Sequence, residues 1–331
     1  MHVALVPGAV AETIIPARYN RIDRLRELFE QRGEEIAAII VEPVLGNAQG
    51  ILPEPGFHQQ MRALTEEFGI LLIFDEVKTG FRFAKGGAAE YFGIRPDLAS
   101  FAKAMGNGYP AAAFGGRREI MELLPEKVSH GGTYAGNRVA AAAAVATLQI
   151  IRDTNALDTI HATGRTIQDG LKEILDPVGI PYHFTGHPSM FGIMFREDVP
   201  TEYRDWASSD HELYDAIAIG MHARGAMPEP DSREPWFVCE AHADADIIDR
   251  VLTAFQESLD AALEELDLDE ELDLDDEGNR AADQRTPNEP DEEPSQGFGV
   301  TLGALTPETA RRLRAPSDVQ GVLVSDVEQG S

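Results

Sequence analysis

Apolar positions set two rhythms in the first hundred residues. Between residues 21 and 34 they recur at helical spacing, with Ile22, Leu25, Leu28 and Phe29 on one face. A continuous run follows, Ile36-Ala37-Ala38-Ile39-Ile40-Val41, which predicts a buried strand closed by Glu42-Pro43. Pro53 to Phe57 predict a turn and His58 to Phe68 a helix. A second apolar run, Gly69 to Phe74, then ends on Asp75-Glu76 and predicts a strand buried on both faces. Strand, helix, strand is a βαβ unit, whose parallel strands bring their acidic ends, Glu42 and Asp75, to one sheet edge.

Further along, Asp97 to Phe101 and Ala111 to Gly116 predict short strands, and Arg117 to Leu124 a helix. Gly131 to Asn137 reads as a loop. The alanine-rich stretch from Arg138 to Arg152 and the stretch from Ala156 to Leu175 predict two helices. The pattern then turns to short β segments broken by Gly186, Pro188 and Gly192, a helix from Ser209 to Arg224, and a strand Trp236-Phe237-Val238-Cys239. A closing amphipathic helix from Asp244 to Leu263 carries Ile247, Ile248, Val251, Leu252, Phe255 and Leu259 inward. The fold class is α/β: a parallel-rich sheet flanked by helices, followed by a smaller α+β portion.

Composition narrows the function. A chain of 331 residues that is 43% hydrophobic can bury a large core. Its net charge of −29 argues against nucleic acid as a partner. No run reaches the ~20 apolar residues of a membrane span, and Met1 to Gly8 lacks the form of a signal peptide. A single cysteine, Cys239, read as a small apolar strand residue, excludes an intramolecular disulfide and suits a reducing cytoplasm. No metal site is expected.

The chemistry centres on Asp75 and Lys103. An apolar run ending in Asp-Glu also suits a phosphate-loop ATPase, but that needs G-x-x-x-x-G-K-[ST], and no Gly-Lys dipeptide occurs in the chain. Of the five lysines (Lys78, Lys85, Lys103, Lys127, Lys172), only Lys103 lies in a glycine-rich, uncharged setting. There it is expected to be desolvated, with a lowered pKa, and to be a candidate Schiff-base nucleophile. A carboxylate and such a lysine at one sheet edge are what pyridoxal 5'-phosphate requires: the lysine forms an imine, and the carboxylate keeps the ring nitrogen protonated.

Three segments in order carry a resemblance: Asp75-Glu76-Val77-Lys78-Thr79-Gly80-Phe81-Arg82, Ala102-Lys103-Ala104-Met105-Gly106-Asn107-Gly108, and Gly131-Gly132-Thr133-Tyr134-Ala135-Gly136-Asn137. Together they resemble the class III pyridoxal-phosphate-dependent aminotransferases, in the branch of glutamate-1-semialdehyde 2,1-aminomutase, from about residue 10 to about residue 265. The resemblance implies a fold type I transferase with a partial large domain over 1–155 and a small domain over 156–263. It implies that Asp75 pairs with the pyridine nitrogen, Val77 packs on the ring and Lys103 is the attachment point. Thr133 would reach the phosphate in the neighbouring subunit of a homodimer with shared sites. Asn47 would lie near the phenolic oxygen, and Glu234 beside the cofactor, although the order around Trp236-Phe237 departs from the family pattern; Glu42 reads either as a site residue by position or as an unspecific loop carboxylate. Substrates would be a small amine and an oxo acid or aldehyde, handled as a transamination or as the intramolecular aminomutase variant.

The two ends are expected to differ. The family's upstream phosphate cup and ring-stacking aromatic have no counterpart, so the chain is expected to be truncated at its N-terminus and to hold the cofactor weakly. Residues 264–295 read as a disordered acidic linker. Residues 296–331, beginning Gln296-Gly297-Phe298-Gly299-Val300, resemble the first half of a PDZ domain of Do-like serine proteases, a fusion introduced in the gene model or the assembly being the expected origin. The rival class is a non-catalytic interaction protein built from an aminotransferase fragment and a peptide-binding tail.

Overall fold

A computed structural model describes residues 8–277, 296–297, 300–304 and 322–327. Residues up to Glu270 and residues from Glu271 onward are two separate units. The first contains a four-stranded sheet in the order β1 (Ala38–Val41), β2 (Leu71–Asp75), β3 (Leu98–Phe101), β4 (Ala113–Gly116). The first three strands are parallel and β4 runs antiparallel to β3. The helix Phe57–Phe68 connects β1 to β2 as predicted, and glycines in left-handed backbone conformation, Gly56 and Gly69, bound it at its ends. Its inner face, with the helix Ile22–Arg32, seals one side of the sheet through Leu25, Phe29, Met61, Leu64, Leu72 and Phe74.

Burial of the strands is less complete than the apolar runs suggest. β1 is an edge strand, and Ile40 is 65% exposed. β2 alternates: Leu72 and Phe74 are fully buried, while Leu71, Ile73 and Asp75 are only partly covered. β4 forms the opposite edge and leaves Phe114 51% exposed. An apolar run measures how much a strand could bury, not how much its neighbours supply.

The C-terminal part of this unit packs an antiparallel sheet, β5 (Tyr182–His187), β6 (Met190–Phe195) and β7 (Trp236–Phe237), against three helices, Ala156–Leu175, His211–Ala223 and Ala245–Glu277. β6 is buried along its whole length. Its Phe191 and Ile193 meet Leu171, Leu213, Ile217, Phe255 and Leu259 in one core. Three expectations need correction here. β7 ends at Phe237, and Cys239 is exposed rather than a packed strand residue. The final helix does not stop at Leu263 but continues to Glu277, so the first part of the expected acidic linker is helical, in keeping with its content of leucine and glutamate. The helix Gly87–Phe92 was not foreseen, its glycine-rich start concealing it. No described helix is long and apolar enough to cross a membrane.

The second unit contributes a three-stranded antiparallel sheet, β8 (Gln296–Gly297), β9 (Val300–Ala304) and β10 (Val322–Val327), with an irregularity between Val324 and Asp326. Residues 278–295, Phe298, Gly299 and 305–321 lie outside the described residues, and with them most of the linker and of the stretch likened to a PDZ domain.

Candidate active site

The carboxyl edge of β1, β2 and β3 gathers most of the residues that the sequence singles out. Asp75 closes β2 directly opposite Ser100 of β3. Its Oδ1 accepts hydrogen bonds from the Val77 amide at 3.0 Å and the Ser100 hydroxyl at 3.1 Å. Oδ2 has no hydrogen-bond partner among the described residues. The carboxylate is therefore held by one oxygen and open at the other, as a counter-ion for a protonated ring nitrogen would need to be. Its neighbour Glu76 has the opposite fate. It is fully buried and accepts from the Thr79 hydroxyl and from the Ala88 and Ala89 amides at the start of the Gly87–Phe92 helix. Burial, with the adjacent Asp75 charge, pushes the Glu76 carboxyl up against those hydrogen bonds.

Lys103 leaves the end of β3 three residues after Ser100 and opens a one-turn helix, Lys103–Met105. Its φ of +46° lies in the left-handed region, which costs a non-glycine residue roughly 1–3 kcal/mol and is most often met at functional sites. The side chain is exposed, which corrects the expectation of a desolvated lysine: Gly106, Asn107 and Gly108 crowd it with nothing. Its ammonium makes no hydrogen bond or ion pair among the described residues. Thr133 is likewise exposed, in the turn before the helix Arg138–Asp153, whose first amides are capped by Asn137.

A second group occupies the same edge. Asn47 donates to Glu42 Oε1 at 2.7 Å and accepts from Lys78 Nζ at 2.8 Å. Lys78 Nζ also lies 2.7 and 2.6 Å from the two oxygens of Glu234. Glu42 Oε2 accepts from the Gly46 amide, and burial raises the Glu42 carboxyl, helped by the nearby Asp75 charge. Gly46 is needed for this packing, since a Cβ there would fall 2.4 Å from Lys78 Cδ. Glu234 reaches the edge because the Gln49 amide bonds the Arg233 carbonyl at 2.7 Å. Thus Glu42, Asn47 and Glu234 form one network beside Asp75 and Val77, and its central member, Lys78, is not recoverable from sequence alone. The one signal is its place three residues after Asp75, in the turn beyond the strand.

Comparison with known proteins places this edge in context. The profile of the family described as Aminotransferase class-III matches residues 9–254. The chain belongs to the class III aminotransferase family. A curated relative named glutamate-1-semialdehyde 2,1-aminomutase, from Desulfitobacterium hafniense, is 39% identical over 244 residues, which are 73% of this chain and 57% of the relative. Among solved structures, an omega-transaminase from Sphaerobacter thermophilus superposes with a TM-score of 0.71 at 29% identity, over 79% of this chain and 60% of that one. The FumI protein of a Sphingopyxis species, solved as its PLP internal aldimine form, gives 0.66 at 28%, over 75% and 57%. The fold is that of the fold type I aminotransferases. The chain spans somewhat more than half the length of the relatives it matches.

Family membership implies pyridoxal 5'-phosphate, and the residues present fit its ring end: a half-satisfied carboxylate on one strand and an unpartnered amine after the next.

Proposed function

We propose that this chain carries the amine-handling centre of a pyridoxal-phosphate-dependent transaminase, which moves an amino group between a small amine donor and an oxo acid or aldehyde. The observation that supports it best is the β2–β3 register: Asp75 lies opposite Ser100, and Lys103 follows at the same edge with an unpartnered amine. When bound, the cofactor supplies the electron sink that makes the substrate α-proton removable. Asp75 orients and charges the ring nitrogen through its open oxygen. Lys103 Nζ would be the attachment amine for the cofactor and, when free, would take and return the substrate α-proton. Val77 would flank the ring, and Asn47, held by Glu42 and Lys78, would keep one amide N–H for the phenolic side. Thr133 serves the phosphate of a second copy in a homodimer. The exposed Tyr134 and Val139 near it in sequence, and Phe114 beside His130, support such an interface. The cytoplasm, where an exposed single cysteine remains reduced, is the compartment assigned.

Intramolecular transfer on one substrate is the second reading, favoured by the 39% identity to a protein named as an aminomutase. Incubation with pyridoxal 5'-phosphate, reduction with borohydride and peptide mapping test both readings together. Label is expected on Lys103, and Lys103→Ala should abolish the visible absorption band and all amino transfer. Label on another lysine overturns the assignment, and a protein that binds no cofactor is the non-catalytic interaction protein instead.

A further inference from the structure

Two lysines occupy equivalent places at the catalytic edge. Asp75 and Ser100 face each other across β2 and β3, Lys78 follows Asp75 by three residues, and Lys103 follows Ser100 by three. Each lysine is borne by the turn just beyond a strand at this edge, Lys78 after β2 and Lys103 after β3. Their surroundings differ completely. Lys103 is exposed and unpartnered among the described residues, as are no other amines at this edge. Lys78 is 7% exposed and is the one buried lysine of the five. An ammonium has three donors, and all three of these have an acceptor: Asn47 Oδ1 and both oxygens of Glu234.

We propose that Glu234 and Asn47 form a clamp that withholds Lys78, so that Lys103 is left as the single amine able to meet a carbonyl carbon at this edge. The inference rests on the proposed function, which it deepens by giving Glu234 and Asn47 a positioning role. Carbonyl condensation requires the amine nitrogen to approach the carbon with its lone pair free, form the C–N bond and release water. A nitrogen enclosed by three oxygens cannot make that approach. The clamp is also firmly built. Glu42 fixes the other end of the Asn47 amide, so its oxygen is turned to Lys78. The Gln49–Arg233 backbone bond holds the segment that bears Glu234. Gly46 leaves room for the Lys78 stem to pass. Without the clamp, two amines would compete for one aldehyde, and condensation on Lys78 would set the ring in a second orientation relative to Asp75.

The first arm of the test needs no cofactor. Trace reductive methylation with formaldehyde and cyanoborohydride adds a methyl group wherever an amine can condense, the cyanoborohydride supplying the hydride, and mass spectrometry reads each lysine separately. In the full chain Lys78 should react at least about tenfold more slowly than Lys103, Lys85, Lys127 and Lys172, since charge-assisted hydrogen bonds must first break. Glu234→Ala should raise the Lys78 rate about tenfold and leave the other four unchanged. Glu234→Asp, which keeps the charge, should restore part of the protection. Equal reactivity of all five lysines in the wild type overturns the clamp. So does a Lys78 that stays protected in Glu234→Ala, because packing alone would then be shielding it.

The second arm adds pyridoxal 5'-phosphate and borohydride. Label confined to Lys103 in the wild type and divided between Lys103 and Lys78 in Glu234→Ala is the expected result. If Lys78 is unmasked in the first arm but never labelled in the second, the selecting role is wrong. If neither lysine is labelled in either protein, the proposed function fails and the selecting role with it, while the methylation result still reports on the ion pair.

Discussion

His58 offers the sharpest physical test of the fold that supports the site. It is 2% exposed, on the helix Phe57–Phe68, surrounded by the rings of Tyr19, Phe57, Phe74 and Phe92. Its Nε2 donates to the Pro43 carbonyl at 2.7 Å, at the turn that closes β1, and Nδ1 is buried without a partner. Burial lowers its pKa from 6.5 to about 4, against a small opposing effect of the Pro43 bond. The unfolded chain therefore takes up a proton near pH 6.5 while the folded chain refuses it until about pH 4. The folded-state pKa is the depressed one, so the stability it contributes is complete above 6.5 and lost as pH falls toward 4. Integrating between pH 7 and pH 5 gives a loss of about 2 kcal/mol from this residue. That corresponds to roughly 4–8 °C in melting temperature for a domain of this size class. His187, also buried and lowered to about 4, should add a loss of similar size. His58→Phe keeps the aromatic packing and leaves Pro43 its second donor, the Tyr19 hydroxyl at 2.7 Å. Urea denaturation of both proteins at pH 7 and pH 5 should show the variant losing about 2 kcal/mol less than the wild type over that interval. Parallel pH dependence in the two proteins would refute the reasoning.

Other outcomes follow from single contacts. Glu76→Ala leaves the Thr79 hydroxyl and two helix-start amides without their acceptor and should cost about 3 kcal/mol or more in urea denaturation, with Glu76→Gln costing less; a loss below that of an ordinary surface change would contradict the role given to it. Asp97 accepts from the Leu72 amide, Arg62 and Arg117, which together outweigh the opposing effect of burial and hold its carboxyl below the usual value. Its stabilisation is present above about pH 4 and lost as pH falls further, and Asp97→Asn should destabilise by about 3 kcal/mol at pH 7 with a flatter acid limb in thermal melts. Asp75→Asn should leave the label on Lys103 in place but slow substrate α-proton loss about a hundredfold or more in stopped-flow absorbance; an unchanged rate would assign the ring nitrogen to another group.

What could be read from the sequence was what local patterns encode. The Leu71–Asp75 strand, the turn bearing Lys103 and the helix Ala156–Leu175 all announce themselves in runs of fewer than about two dozen residues, because periodicity and terminating residues fix them. The reversed direction of β4 was hidden, since Ala113-Phe114-Gly115-Gly116 carries no sign of which way it runs. The exposure of Lys103 was misjudged for a related reason: small neighbours in sequence say nothing about what packs over a side chain. The Lys78–Glu234 pair depends on two segments far apart in the chain meeting at one edge. Lys78 looked like an ordinary polar residue after an acidic strand end, and only tertiary structure shows that its charge is enclosed.

The adjacent acids Asp75 and Glu76 point to a lesson for anyone who would move this centre into another protein. A strand sends successive side chains to opposite faces, so the two carboxylates are committed to different environments, and the second can be buried only where amides await it. Those amides come from Ala88 and Ala89, in the first turn of the helix that follows the loop after Thr79. The smallest transplantable piece is therefore not the acidic dipeptide or even the strand, but the whole stretch from Leu71 to Ala89. A graft that carried Asp75 without the far end of that stretch would leave Glu76 buried with only the Thr79 hydroxyl as donor, and the host would relieve it by twisting the strand and misaiming the catalytic carboxylate.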